Sequence, residues 1–150
     1  MYQSAVEEIV KYHHCFVCGD SNPTGLKARF FFDGESANTE IEAGEAFEGY
    51  RGIYHGGIIS TLLDEVMIKA LLAKGLYTVT AELTVKFHSS VHTGDRIRFS
   101  GREIASRGRL HLTEGQAVNA AGDICASAKG KYLETDQKMN ALLQQSLDQP

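Results

Sequence analysis

The stretch from residue 54 to residue 73 constrains the fold of this chain most strongly. Its apolar residues recur at helical spacing and cover most of the circumference of a helix of about five turns. One broad face holds Ile59, Leu62, Leu63, Val66, Ala70 and Ala73. A helix that is apolar on most sides is normally buried. Because most of the chain after this helix has strand patterns, the sequence predicts a sheet wrapped around it.

Alternating apolar and polar residues predict strands on both sides of the long helix. Residues 3–12 suggest a short amphipathic helix, and residues 27–33 and 38–42 suggest a hairpin. Four later strands are joined by short glycine-containing turns that suit antiparallel pairing, and they cover residues 77–89, 95–106, 109–120 and 123–134. The sequence therefore predicts an α+β domain over residues 1–134, followed by a polar tail at residues 135–150.

Composition limits the class of protein. With 150 residues, 43% hydrophobic and 23% charged, the chain has the composition of a soluble globular domain. No apolar run approaches the roughly 20 residues needed to span a bilayer, and the N-terminus lacks a signal-peptide pattern. Three cysteines are an odd number, which favours a reducing, cytoplasmic location. The net charge of −4 argues against general nucleic-acid binding, so we expect neither nucleic acid nor membrane as a partner.

Two features of the long helix suggest chemistry. Gly56 and Gly57 begin it, where free N–H groups and the positive end of the helix dipole form a site for an anion or a developing oxyanion. Glu65 has Lys69 four residues later, which predicts an ordinary surface ion pair. Asp64 has no such partner in an otherwise apolar column. Such a carboxylate is either a functional group or the cap of a buried polar group.

A cysteine pair precedes these elements. Cys15 and Cys18 are separated by two residues and follow two histidines, a spacing typical of half a zinc site. No second cysteine pair or well-spaced histidine pair completes the site, and Cys125 is alone in the sequence. We therefore expect buried thiols in a tight loop and no metal.

Several motifs together resemble the hotdog-fold acyl-CoA thioesterases, in particular the phenylacetate-pathway and thioesterase-superfamily-member types. The motifs are His55-Gly56-Gly57 with Asp64 nine residues after the histidine, Cys15-Phe16-Val17-Cys18-Gly19 with residues 22–26, and residues 84–87 with Gly94-Asp95. They occur in order over about residues 13–134. The resemblance implies a hotdog fold, in which a curved antiparallel sheet wraps a long central helix. It also implies hydrolysis of an acyl-CoA thioester to a free acid and coenzyme A.

The resemblance assigns catalytic roles to four residues. It implies that the N–H of Gly57 is the oxyanion donor and that Asp64 is the general base or nucleophile. His55 shapes the turn or helps to bind the thioester carbonyl. Thr80 falls where relatives carry a serine or threonine that holds the attacking water. No cofactor is implied, because coenzyme A is part of the substrate.

The sequence departs from the family pattern before the histidine. Many relatives have an asparagine or glutamine about six residues earlier, where this chain has Gly49. The neighbouring Glu48 is a candidate replacement.

Five residues are candidates for contacts with the substrate and its coenzyme A moiety. Gly56 lies beside the expected oxyanion donor. Arg107 and Arg109 flank a turn glycine and suit the coenzyme A phosphates. His88 and Ser89 end the strand that follows the helix, where they suit a pantetheine arm.

Helix geometry predicts a shared site. Gly57 and Asp64 are seven residues apart, about 10 Å along the helix axis at 1.5 Å per residue. One thioester carbon needs an oxyanion donor at about 3 Å and a base within hydrogen-bonding reach. We therefore expect a two-fold homodimer in which Gly57 of one chain faces Asp64 of the other, alone or within a homotetramer. The alternative function is a non-catalytic acyl-CoA-binding or sensing domain of the same fold.

Overall fold

The computed structural model describes residues 6–147 of the chain. Two α-helices occur there, α1 (Gly56–Leu72) and α2 (Gln137–Ser146), with a short 3-10 helix at Glu45–Phe47. The strands are β1 (Glu7–Glu8), β2 (Phe31–Phe32), β3 (Ser36–Glu42), β4 (Thr78–Phe87), β5 (Arg96–Arg107), β6 (Leu110–Asn119) and β7 (Ile124–Glu134). Within these residues they form one antiparallel sheet in the order β1-β2-β3-β5-β6-β7-β4. The sheet packs around α1, which confirms the predicted α+β fold.

The long helix agrees closely with its prediction. Residue 55 is its N-cap, and the chain leaves it through Gly75, whose φ of +82° favours glycine. The buried side chains include most of the predicted face and two residues beside it: Ile59, Leu62, Leu63, Val66, Met67, Ala70 and Leu71. Because the sheet covers α1 from several sides, these residues form the centre of the core.

The later strands lie within two residues of their predicted bounds, but the N-terminal segment differs. The predicted helix at residues 3–12 is wrong for its described part, because Glu7 and Glu8 pair with β2 and Ile9 donates a 2.8 Å hydrogen bond to the carbonyl of Phe30. Residues 3–5 lie outside the described residues. The segment can pair with the free edge of β2, and it contains β-branched residues, which favour strands. Together these effects outweigh the weak helical preference of so short a segment.

The predicted tail contains α2, which begins at the N-cap Asp136. Its C-terminal end meets the N-terminal segment, where the N–H of His13 donates to the carbonyl of Ser146 over 3.1 Å. Residues 148–150 lie outside the described part. Neither this helix nor any other within residues 6–147 has the length and apolarity needed to cross a membrane.

A glycine allows the helix to approach the sheet closely. A Cβ atom on Gly101 of β5 would lie 2.9 Å from the backbone nitrogen of Met67 and 2.9 Å from the carbonyl oxygen of Val66. Both atoms belong to the backbone of α1, so the whole helix would have to move to admit a methyl group. Gly115 of β6 is paired with Gly101, and a Cβ there would meet the flexible side chain of Met67 and the carbonyl oxygen of Ser100, each at 3.1 Å.

We expect Gly101→Ala to lower the free energy of unfolding by about 1–3 kcal/mol, because the added methyl group overpacks the helix–sheet contact. Gly115→Ala is the matched control and should cost less, because a Cβ there stays 3.1 Å rather than 2.9 Å from the nearest backbone atom and the Met67 side chain can move aside. Urea unfolding of the wild type and both variants measures the difference. If Gly101→Ala is as stable as Gly115→Ala, the close backbone contact does not limit the packing.

Candidate active site

The start of α1 is organised by the His55 side chain. Its Nδ1 accepts a 2.8 Å hydrogen bond from the N–H of Gly57, so in the neutral ring the proton lies on Nε2. The His55 carbonyl accepts from the N–H groups of Ile58 at 3.0 Å and Ile59 at 3.2 Å. These three donors of the first turn therefore have protein acceptors.

The two glycines that begin α1 differ in their hydrogen bonding. The N–H of Gly57, which the family resemblance implies as the oxyanion donor, donates to the His55 side chain. The first-turn donor without a protein acceptor in the described chain is the N–H of Gly56. Phe87 lies beside it, since a Cβ on Gly56 would be 3.4 Å from the Phe87 ring. The Gly56 N–H thus lies at the positive helix end next to an aromatic side chain that is 54% exposed.

Asp64 belongs to α1, and its half-buried side chain faces the sheet. Its Oδ1 accepts hydrogen bonds from the Thr80 hydroxyl at 3.0 Å and from the Tyr132 hydroxyl at 2.8 Å. Thr80 of β4 and Tyr132 of β7 are partners across the two strands, so the sheet register delivers both donors to the same oxygen. Among residues 6–147, Asp64 Oδ2 has no hydrogen-bond partner.

Sequence reasoning missed Tyr132. Its side chain is fully buried, and a Cβ on Gly130 would lie 2.4 Å from its ring, so a glycine makes the space for it. Burial raises the pKa of Tyr132, and the Asp64 negative charge adds to this effect, so the phenol remains a hydrogen-bond donor. The only sequence signal was an aromatic residue in a predicted strand. The spacing of residues along the sequence does not predict the strand pairing that brings Tyr132 to Asp64.

A cluster of charged side chains connects neighbouring strands at the end of the sheet that carries Tyr132. His111, its neighbour on β6, is mostly buried, and its Nε2 lies 2.9 Å from Glu134 while its Nδ1 hydrogen-bonds Glu103. Burial lowers the pKa of His111, but the hydrogen bonds and negative charges of the two glutamates outweigh it and raise the pKa overall. The cluster therefore links β5, β6 and β7 through charge-assisted hydrogen bonds.

The candidate coenzyme A residues lie at two ends of the sheet. His88 and Ser89 follow Phe87, and their N–H groups donate to the carbonyl of Cys125 at 2.8 and 3.2 Å. Arg107 and Arg109 flank the β5–β6 turn at the opposite end, where Arg109 Nη2 donates to the Glu134 carbonyl at 2.7 Å. The first pair lies near Gly56 and the second near the Thr80–Tyr132 pair.

Gly49 and Glu48 occupy the positions before His55 at which the sequence departs from the family pattern. A Cβ on Gly49 would lie 3.1 Å from Cδ2 of His55, so this glycine packs directly against the imidazole. Glu48 Oε2 accepts a 3.0 Å hydrogen bond from the N–H of Gly52. The Glu48 carboxylate is thus held within its own loop.

The expectation of a surface pair between Glu65 and Lys69 is wrong. The Lys69 side chain is 1% exposed and that of Glu65 15% exposed, with 4.0 Å between Nζ and Oε1. Lys69 donates to the carbonyl of Val10, so the N-terminal segment covers this side of the helix. Burial raises the pKa of Glu65 to about 7.

The profile of the thioesterase superfamily matches residues 51–126, which contain α1 and strands β4 to β6. This chain belongs to the thioesterase superfamily. The sheet wrapped around α1 is therefore the hotdog fold that the sequence resemblance implied. Comparison with curated proteins finds no significant match.

Solved structures of other proteins share this fold. Protein RHA08564 superposes with a TM-score of 0.77 at 24% identity, over 81% of this chain and 61% of its own length. The Streptococcus mutans UA159 protein smu.793, bound to acetyl CoA, has a TM-score of 0.62 at 23% identity, over 67% of this chain and 82% of that one. The Escherichia coli PaaI protein from the phenylacetic acid degradation operon has a TM-score of 0.66 at 19% identity, over 69% and 75%.

We expect Tyr132→Phe to lower the free energy of unfolding by about 1.5–3 kcal/mol, because Asp64 loses a hydrogen bond to a charged oxygen. Tyr54→Phe is the matched control. Tyr54 is also buried, and its hydroxyl has no protein partner among residues 6–147. Thermal and urea unfolding compare the two variants. Equal stability losses would mean that the Tyr132 hydroxyl does not hold Asp64.

Proposed function

We propose that this thioesterase-superfamily protein hydrolyses acyl-CoA thioesters, with Asp64 as the general base or nucleophile. The observation that carries the proposal is the Asp64 carboxylate, whose Oδ1 is held by two hydroxyl groups while Oδ2 has no partner within residues 6–147. A carboxylate restrained in this way is oriented toward one further ligand. The acetyl CoA bound to the similar smu.793 protein supports an acyl-CoA substrate.

The N–H of Gly56 serves as the oxyanion donor in this proposal. It is free of protein acceptors within the described chain and lies at the positive end of α1. One such donor contributes roughly 2.7–4 kcal/mol to transition-state stabilisation. His55 positions this donor by holding the next N–H, that of Gly57, with its Nδ1.

The active site is shared between two subunits. Gly56 and Asp64 are eight residues apart on one straight helix, about 12 Å along the axis, so a single chain cannot bring both to one carbonyl. Their sheet neighbours are separated in the same way, because Thr80 lies near the start of β4 and Phe87 at its end.

Strand β4 provides the surface for dimerisation. It is the edge strand of the described sheet, it has ten residues, and its Phe87 and Val79 side chains are 54% and 42% exposed. A long unpaired edge is a template for another strand. Antiparallel pairing of two β4 strands about a two-fold axis brings Thr80 of one chain toward Phe87 of the other. Each Asp64 then approaches the partner's Gly56, and a tetramer of such dimers keeps the same sites.

The reaction uses few groups. Asp64 Oδ2 removes a proton from water, the oxygen of that water attacks the thioester carbon, and the carbonyl oxygen becomes an oxyanion bound by Gly56. Collapse of this intermediate breaks the C–S bond and releases the coenzyme A thiolate, which takes up a proton. Thr80 donates to Asp64, so its oxygen lone pairs remain to accept a hydrogen bond from the water. If Asp64 attacks directly, water hydrolyses the resulting anhydride.

The same dimer gathers the coenzyme A contacts. His88 and Ser89 lie at the Gly56 end of β4, and Arg107 and Arg109 lie at the Thr80 end of the sheet. Pairing of antiparallel β4 strands brings these ends together at each site. The arginines then suit the phosphates and the histidine–serine pair suits the pantetheine amides.

We expect Asp64→Asn to lower kcat by at least about 10²-fold without unfolding the protein, because the amide cannot accept the water proton. The measurement is thiol release from short, medium-chain and aromatic acyl-CoAs. Asp123→Asn, at an exposed turn, is the control and should retain activity. If the wild type binds acyl-CoA but releases no thiol from any substrate, the protein is a binding or sensing domain. Unchanged turnover in Asp64→Asn would exclude it as the base.

Subunit mixing tests the shared site. Gly56→Pro removes the oxyanion donor at the first helical position, where proline is tolerated, and ψ of 129° at His55 suits the residue before a proline. We expect it to lower kcat about 10²–10³-fold. Co-refolded with Asp64→Asn in equal amounts, it should restore about a quarter of the wild-type activity, because half of the dimers are mixed and have one intact site. If both groups act within one chain, the mixture stays inactive.

A further inference from the structure

A second group of reactive side chains lies beside α1 and takes no part in the proposed reaction. The Sγ atoms of Cys15 and Cys18 and a carboxylate oxygen of Glu65 all lie within 4.8 Å of one another. Cys15 Sγ is 3.7 Å from Glu65 Oε1. Glu65 follows Asp64 directly, but its carboxylate faces the N-terminal loop, whereas Asp64 faces β4 and β7. The carboxylates of these two neighbouring residues therefore contact different parts of the chain.

The loop at residues 15–19 is shaped to hold two sulfur atoms. The N–H groups of Val17 and Cys18 donate to Cys15 Sγ at 3.3 and 3.5 Å. The N–H of Gly19 donates to the Cys15 carbonyl at 2.9 Å, and a Cβ on Gly19 would lie 2.5 Å from the Cys15 nitrogen, so only glycine permits this tight turn. N–H donors aimed at sulfur are the outer-shell hydrogen bonds that stabilise a metal-bound thiolate.

The two thiol groups of the cluster differ in exposure, because Cys15 is half-buried while Cys18 is fully buried. The open side of the cluster therefore lies at Cys15.

A divalent cation also suits the charges that the cluster would carry as a ligand set. Two thiolates and the Glu65 carboxylate would together carry three negative charges, and Lys69, with its Nζ 4.0 Å from Glu65 Oε1, supplies one positive charge. A divalent ion would supply the other two.

We propose that Cys15, Cys18 and Glu65 bind a zinc ion that joins the N-terminal loop to α1. Zinc bonds of about 2.3 Å to sulfur and about 2.0–2.2 Å to oxygen place tetrahedral ligand atoms roughly 3.5–3.8 Å apart. The 3.7 Å between Cys15 Sγ and Glu65 Oε1 fits this spacing, and the other distances within the set are no longer than 4.8 Å. A water on the half-exposed side of Cys15 completes the tetrahedron.

The proposed ion has a structural role. It fixes residues 15–18 against a side of the helix different from that of the Asp64 hydroxyl contacts, and it is independent of the thioesterase reaction proposed above. The third ligand was not visible in the sequence, because Glu65 belongs to a different element and its spacing to Lys69 indicated a surface ion pair.

Cobalt(II) binding tests the proposal directly. The reduced full-length protein is stripped of metal and titrated with Co²⁺, and we expect a near-ultraviolet thiolate-to-cobalt charge-transfer band that saturates at about one ion per chain. Zinc should displace cobalt and abolish the band. Elemental analysis of protein purified without chelator should find a comparable amount of zinc, and zinc removal should lower Tm.

Matched variants assign the ligands. Cys15→Ser and Cys18→Ser should each remove most of the band, and Glu65→Gln should weaken cobalt binding at least about tenfold. Cys125→Ala is the control, because this buried cysteine lies outside the cluster, and it should bind cobalt like the wild type. The proposal is overturned if the reduced, folded wild type shows no thiolate-to-cobalt band. A band that persists in Cys15→Ser or disappears in Cys125→Ala would also overturn it.

Discussion

Burial of α1 within the curved sheet is the constraint on which the rest of the structure depends. Its large apolar side chains each contribute about 1.5–3 kcal/mol when removed from water, and together they require cover on several sides. The sheet lies close to the helix because Gly101 allows β5 to contact the helix backbone near Met67. With the helix fixed in this way, its N-terminus lies beside Phe87 and its middle beside Thr80. The places where chemistry can occur follow from that packing.

Two adjacent carboxylates show how a buried helix accommodates charge. Asp64 faces the sheet and is held by the hydroxyl groups of Thr80 and Tyr132. Glu65 faces the N-terminal loop and lies near Lys69 and Cys15. Burying either carboxylate without partners would be costly, and each obtains its partners from a different part of the chain. The helix can therefore support two separate polar sites within one turn.

The length of the helix separates the groups that the proposed reaction needs. The N–H of Gly56 and the carboxylate of Asp64 lie at different ends of β4 within one subunit. The exposed edge of β4 offers a simple way to reunite them, because antiparallel pairing exchanges the two ends of the strand. The proposed catalysis therefore requires the proposed dimer, whereas the cysteine loop lies within a single chain.

Local sequence patterns were sufficient for α1, the four long strands and the antiparallel α+β fold, because helical and strand periodicities are strong over ten or more residues. The short N-terminal segment was mispredicted, since pairing with β2 decides the structure of a segment whose own preference is weak. The sequence also singled out His55, Gly56, Gly57 and Asp64 as a group. It could not decide which glycine N–H donates to His55, because that depends on the direction of the His55 side chain.

Only the tertiary structure brought Tyr132 to Asp64 and Cys15 to Glu65. The residues of each pair are 68 and 50 positions apart in the chain. Their meeting depends on strand register and on the path of the N-terminal loop over α1. Periodicity states which side of an element is apolar, but the partner of a polar side chain is fixed by the packing of the whole domain.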